Sequence, residues 1–222
     1  TAAGGGTHAR VMRGIETLRR HQVDFNILVL VTRANVARGA EVYRYLTEQG
    51  FSHHQYIPCV EFDDNGALEP FAITGEQWGR FLDDVFDAWY PADTHTVSIR
   101  HFDALMHKML DGTTALCTLG RNCCQYFLVE YNGDIYPCDF FVEKERWLGN
   151  IASMSWQQAL NSEAYKSFGT LKAQWHPDCR RCDCLSLCSG DCLKHRLYAG
   201  NRPQQLSWLC QGWCTFLRKA RG

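Results

Sequence analysis

Between Cys179 and Cys192 the chain places five cysteines in fourteen residues: Cys179-Arg-Arg-Cys182-Asp-Cys184-Leu-Ser-Leu-Cys188-Ser-Gly-Asp-Cys192. Cys117, Cys123, Cys124 and Cys138 lie upstream, Cys210 and Cys214 downstream, and only Cys59 stands apart. Twelve cysteines in 222 residues is about 5%, below the roughly 8–10% of a small disulfide scaffold. At 45% hydrophobic the chain can bury a core without covalent staples. Tight C-x2-C spacing in such a chain reads as metal ligation in a reducing compartment, which points to the cytoplasm. A net charge of −1 offers no basis for binding nucleic acid or an anionic membrane surface. No apolar run approaches the roughly 20 residues of a membrane span.

The first half alternates helix and strand signals. Thr7 is a residue that can cap a helix expected to run to about His21, with Val11, Ile15 and Leu18 at helical spacing. Asp24 to Val31 is nearly continuous apolar sequence, as in a parallel strand buried on both faces. Asn35 is expected to open a second helix bearing Val42, Tyr45 and Leu46, with Gly50 past its end. A second strand covers about His54 to Ile57. This is the grammar of a parallel βα array. Glu61 to Phe71 reads as a solvated loop at a strand end. Thr74 and Gln77 form a capping box opening a helix with Trp78, Phe81, Leu82, Val85, Phe86 and Trp89 on one stripe; Pro91 stops it.

From about residue 96 the pattern changes. His101 to Leu110 reads as a helix. Asn132-Gly133 is a strong hairpin signal, between strands over 125–131 and 134–137. The second of these ends on Pro137-Cys138-Asp139, so a cysteine and a carboxylate arrive together at a strand end. Short helices near 156–160 and 163–171 lead into the cysteine cluster, and a basic-ended helix over 210–221 closes the chain. The nine histidines show no metal spacing. His8, His53 and His54 read as surface or half-buried residues.

Four soft thiolates suit zinc or an iron–sulfur cluster, and spacing alone does not separate them. A zinc ribbon draws on two local C-x2-C knuckles. Here only Cys179 and Cys182 make one, and the remaining cysteines spread over nearly a hundred residues. That spread suits larger clusters bound across several loops.

The spacing Cys117-x5-Cys123-x14-Cys138, followed by Cys179-x2-Cys182-x5-Cys188-x3-Cys192-x17-Cys210, resembles the SPASM domain that follows the barrel of radical S-adenosylmethionine enzymes. The likeness is greatest to the anaerobic sulfatase-maturating enzymes. Val23 to Thr32, Gln55-Tyr-Ile-Pro-Cys59 and Tyr131-Asn-Gly-Asp-Ile-Tyr-Pro-Cys138-Asp139 support it. The resemblance implies an α/β chain with residues 1–95 as the C-terminal part of a radical SAM partial (β/α) barrel. Residues 96–222 would be a cysteine-rich SPASM domain with a β-hairpin and short helices. It further implies two auxiliary [4Fe–4S] clusters, one held by Cys117, Cys123, Cys138 and Cys192, the other by Cys179, Cys182, Cys188 and Cys210. Asp139 takes the position of the family's catalytic base, and Ile57 a place near the adenine of S-adenosylmethionine. The implied reaction oxidises a Cys or Ser of a sulfatase polypeptide to Cα-formylglycine, with flavodoxin or ferredoxin as electron donor.

The family's C-x3-C-x2-C motif, which binds a third [4Fe–4S] cluster and S-adenosylmethionine, does not occur: His195 and Leu217 stand where Cys188/Cys192 and Cys210/Cys214 would need a third cysteine. The chain is therefore expected to be the C-terminal part of such an enzyme and to generate no radical alone. Cys59, Cys124, Cys184 and Cys214 are expected to be small buried hydrophobes. Aromatic residues near 140–147 are candidates for a peptide channel. Two rival readings remain open: another SPASM peptide-modifying enzyme, such as one forming thioethers, and a non-catalytic iron–sulfur or zinc module.

Overall fold

A computed structural model describes residues 4–198 and 202–222. Two three-stranded sheets organise the described residues. In the first, β1 (Ile27–Val31), β2 (His53–Pro58) and β3 (Ser98–Ile99) run parallel in the order β1-β2-β3. Ile27 pairs with His54 and Val31 with Pro58. His53 pairs with Ser98, so β3 extends the sheet beyond the two strands legible in the sequence. At two residues β3 is too short to show any period.

Helices cover one side of this sheet. α1 (His8–Arg20) precedes β1 and α2 (Gly39–Glu48) joins β1 to β2. α2 begins later than Asn35, because that side chain is used in a turn: Oδ1 accepts from Thr32 N–H at 2.8 Å and Nδ2 donates to Leu30 O at 3.0 Å. Tyr43 and Leu46 are its buried side chains, whereas Tyr45 is exposed. α3 (Gly75–Trp89) carries the expected capping box between Thr74 and Gln77. Its Trp78, Phe81, Leu82, Val85 and Trp89 are fully buried and form the centre of the core. Burying each such side chain is worth about 1.5–3 kcal/mol.

β1 is not buried on both faces. Leu28 and Leu30 are 57% and 54% exposed and line an open cleft, while Val31 is fully buried. The apolar run is thus half core and half cleft wall. His54 also departs from expectation. It is buried, with Nε2 2.9 Å from Phe51 O and Nδ1 3.2 Å from the Tyr56 hydroxyl, and burial lowers its pKa.

α4 (Arg100–Leu110) leads to the second sheet, antiparallel in the order β4 (Leu128–Val129), β5 (Asp134–Tyr136), β6 (Gly149–Asn150). Gly133 turns the hairpin at φ +88°, where a side chain would be strained. Asp134 of β5 ties the hairpin turn to β6 and the stretch before it by accepting from Asn132 Nδ2, Trp147 Nε1 and Asn150 Nδ2 at 2.7, 2.9 and 3.0 Å. The helices α5 (Trp156–Asn161), α6 (Glu163–Leu171), α7 (Pro177–Arg180) and α8 (Leu185–Cys188) follow. α9 (Cys210–Ala220) returns to pack on α3. That contact is made by glycines: a Cβ at Gly212 would lie 2.0 Å from Gly75 O and 2.7 Å from Gly79 N.

Candidate functional site

None of the twelve cysteines forms a disulfide. Cys117, Cys123, Cys138 and Cys192 line one cavity of about 40 Å³. Cys179, Cys182, Cys188 and Cys210 line another of about 120 Å³, where Cys214 joins them.

Each thiol of the first cavity is held by a different element. Cys117 opens a 3₁₀ turn (Cys117–Leu119) whose carbonyls, those of Cys117 and Thr118, accept from the buried Lys172 ammonium. Cys123 N–H donates to Gly169 O at 3.0 Å. The loop sits so close to α6 that a Cβ at Gly169 would be 1.9 Å from Cys124 Sγ. β5 delivers Cys138.

The second cavity is built from α7, α8 and the start of α9. Lys108 of α4 donates to Leu187 O at 2.8 Å and to Ser189 Oγ at 2.7 Å, anchoring the end of α8. Ser189, Gly190 and Asp191 then follow one another in left-handed conformations, at φ 49°, 78° and 62°. Such residues cost of order 1–3 kcal/mol each when not glycine. The turn carries the chain from Cys188 in one cavity to Cys192 in the other. Buried Asp191 braces it, 2.9 Å from His195 Nδ1 and accepting from Ser207 Oγ. Burial alone would raise the Asp191 carboxyl, but His195, Ser207 and the Cys192 N–H together hold it at about 2.

Metal chemistry fits both cavities. Burial pushes the Cys123 thiol up to about 11 and those of Cys138 and Cys188 up to about 12. Thiolates there need a cationic centre to offset their desolvation. Thiolates about 2.3 Å from one tetrahedral zinc lie about 3.8 Å apart. Among the described residues, only Cys182, Cys184 and Cys214 bring three ligand atoms within 4.8 Å of one another. Neither four-cysteine set brings three thiols that close together among the described residues.

The first cavity abuts the cleft, which has a volume of about 490 Å³. Leu28, Leu30 and Ile57 from the parallel sheet form one part of its wall; Cys117, Tyr126, Asp139, Phe140 and Cys192 form another. Asp139 is exposed, with Oδ1 3.3 Å from the Tyr126 hydroxyl and 3.4 Å from Cys138 Sγ. Glu61, expected in a solvated loop, pairs with Lys194 in the cleft, and Lys194 lies 4.6 Å over the Phe140 ring. Phe140 is thus one aromatic residue of 140–147 placed on this surface.

Of the four unassigned cysteines, Cys59 and Cys184 are buried as expected. Cys124 is exposed in the loop that packs against α6, and half-buried Cys214 faces the second cavity. Tyr126, Lys172, Lys108 and Gly169 were not singled out from the sequence. Their partners are 9 to 81 residues away, and no local pattern marks them. Gly75-x3-Gly79 was a visible hint of close helix approach.

A family model described as an iron–sulfur cluster-binding domain, SPASM, matches residues 117–183. The serine-type anaerobic sulfatase-maturating enzyme of Bacteroides thetaiotaomicron is 33% identical over 227 residues, covering 94% of this chain and 55% of the relative. The chain is homologous to the anaerobic sulfatase-maturating enzymes. The cysteine-type enzyme of Clostridium perfringens is 31% identical, over 96% of this chain and 59% of the relative. A solved structure described as native anSMEcpe with bound AdoMet and Cp18Cys peptide superposes with a TM-score of 0.90 at 31% identity, over 99% of this chain and 62% of that one. The α/β fold with a SPASM domain is therefore shared with these enzymes. The chain spans between half and two thirds of the length of these relatives.

Proposed function

We propose that this chain is the C-terminal part of a cytoplasmic radical SAM sulfatase maturase. In this reading residues 1–95 complete its barrel and residues 96–222 hold two auxiliary [4Fe–4S] clusters. Cys117, Cys123, Cys138 and Cys192 hold one; Cys179, Cys182, Cys188 and Cys210 hold the other. The substrate is a sulfatase segment whose Cys or Ser is oxidised to Cα-formylglycine, and flavodoxin or ferredoxin supplies electrons. The observation that carries the reading is the shared cleft wall: Asp139 and two thiols of the first cavity, Cys117 and Cys192, face the same space as Ile57.

When bound, S-adenosylmethionine with its own [4Fe–4S] cluster would supply a hydrogen-abstracting radical, and clusters held by the two cysteine sets would supply a one-electron sink. With a Ser substrate this oxidation gives the aldehyde directly; with Cys, water hydrolyses the thioaldehyde and sulfide leaves. The chain's residues do the rest. Asp139 accepts the proton of the substrate thiol or hydroxyl. Tyr126, donating to Oδ1, orients that carboxylate toward the cleft. Ile57 packs against the adenine, and Phe140 flanks the peptide.

The test is Asp139→Asn in the full-length enzyme, assayed by mass spectrometry on a sulfatase-derived peptide. Formylglycine should fall by at least about 100-fold with iron unchanged; an unaltered yield would sink the assignment. Two clusters also require about eight iron and eight sulfide per chain. About two zinc and no sulfide would restore the structural-zinc reading.

A further inference from the structure

The second cavity has one thiol more than a four-iron cluster needs. Cys214 lines it alongside Cys179, Cys182, Cys188 and Cys210. Its Sγ lies 3.8 Å from Cys182 Sγ, and Cys182, Cys184 and Cys214 all fall within 4.8 Å of one another. Cys182 and Cys214 both line the cavity, so two sulfurs that close together can each reach a metal atom at the same corner. Cys184 is fully buried and does not line the cavity; Cys214 does.

The two elements differ in firmness. Cys182 follows the four-residue α7 and lies in a turn. Cys214 stands one turn after Cys210 on α9, the helix locked to α3 through Gly75, Gly79 and Gly212. Residues i and i+4 share a helix face, so both thiols of α9 are presented to the cavity together.

We propose that Cys214 is a reserve ligand for the second cluster, able to replace Cys182 at its corner. With Cys182 in place, the Cys214 thiol is left 3.8 Å from that sulfur, where it can donate a weak S–H···S hydrogen bond. When the Cys182 sulfur is missing, Cys214 loses its proton and takes the vacant iron. The inference rests on the cluster assignment proposed above.

The test is iron and sulfide content with electron paramagnetic resonance of the dithionite-reduced chain, after anaerobic reconstitution. Wild type, Cys182→Ala, Cys214→Ala and Cys184→Ala should each hold about eight iron. The spectrum of the second cluster should shift in Cys182→Ala. Cys182→Ala/Cys214→Ala and Cys179→Ala should each drop to about four. The iron of the Cys117 set is an internal check that each variant folds. If Cys182→Ala alone drops to four, as Cys179→Ala does, Cys214 is no substitute and the inference falls. If Cys179→Ala also keeps eight, or wild type holds no sulfide, the underlying cluster assignment fails instead.

Discussion

The Tyr126 hydroxyl donates to Asp139 Oδ1 at 3.3 Å and lies 3.8 Å from both Cys117 Sγ and Cys138 Sγ. One phenol therefore touches the proposed base and two thiols of the first cavity. A hydrogen bond to a charged group is worth about 1.5–3 kcal/mol. Tyr126→Phe should slow product formation by about 10–100-fold in the full-length enzyme, with peptide KM and iron content unchanged. Equal loss of iron and activity would instead mark Tyr126 as a packing residue.

Gly212 is where α9 meets α3. Its Cβ position lies 2.0 Å from Gly75 O, so Gly212→Ala must separate the helices. Overpacking of this kind costs about 1–3 kcal/mol. Because α9 begins with Cys210, the variant should show a lower unfolding midpoint and lose iron from the second cavity first.

Lys172 is fully buried and serves the carbonyls of Cys117 and Thr118. Lys172→Met keeps the stem and leaves both acceptors unpaired, a cost of about 1–3 kcal/mol. The first cavity should then reconstitute poorly while the second keeps its iron: Lys172→Met should hold about four iron, and Lys172→Met/Cys179→Ala close to none.

His101 sits between the rings of Trp78 and Trp213, at 6.0 and 5.8 Å. Burial lowers its pKa from 6.5 to about 4; Asp191 opposes the shift, while Arg100 and His195 add to it. The unfolded chain thus binds this proton near pH 6.5 and the folded chain only near pH 4. Stability from this residue is complete above about pH 6.5 and drains away as pH falls toward 4, by up to about 3 kcal/mol. Denaturant titrations at pH 7 and 4.5 should show a larger loss in wild type than in His101→Phe. Equal losses would show that His101 carries none of the pH dependence.

What could be read along the chain was local. The Thr74–Gln77 capping box, the Asn132-Gly133 hairpin and the apolar stripe of α3 each arise from residues within one or two turns of each other. The eight-cysteine spacing similarly announced a metal-binding chain and the family likeness. Periodicity could not say which side of β1 is open, since Leu28 and Leu30 are as apolar as buried Val31. Burial is decided by what packs across the sheet. Nor could spacing alone divide the thiols, because Cys188 and Cys192 are four residues apart and line different cavities. The left-handed run Ser189–Gly190–Asp191 separates them, and it is held by Lys108 and Ser207 from other parts of the chain and by His195 four residues on. Sequence by itself determined the ligand chemistry and the helices and turns that carry it. Only the tertiary structure decided which side of β1 is open and how Lys108 and Lys172 brace the cysteine loops, because those depend on contacts between residues far apart in the chain.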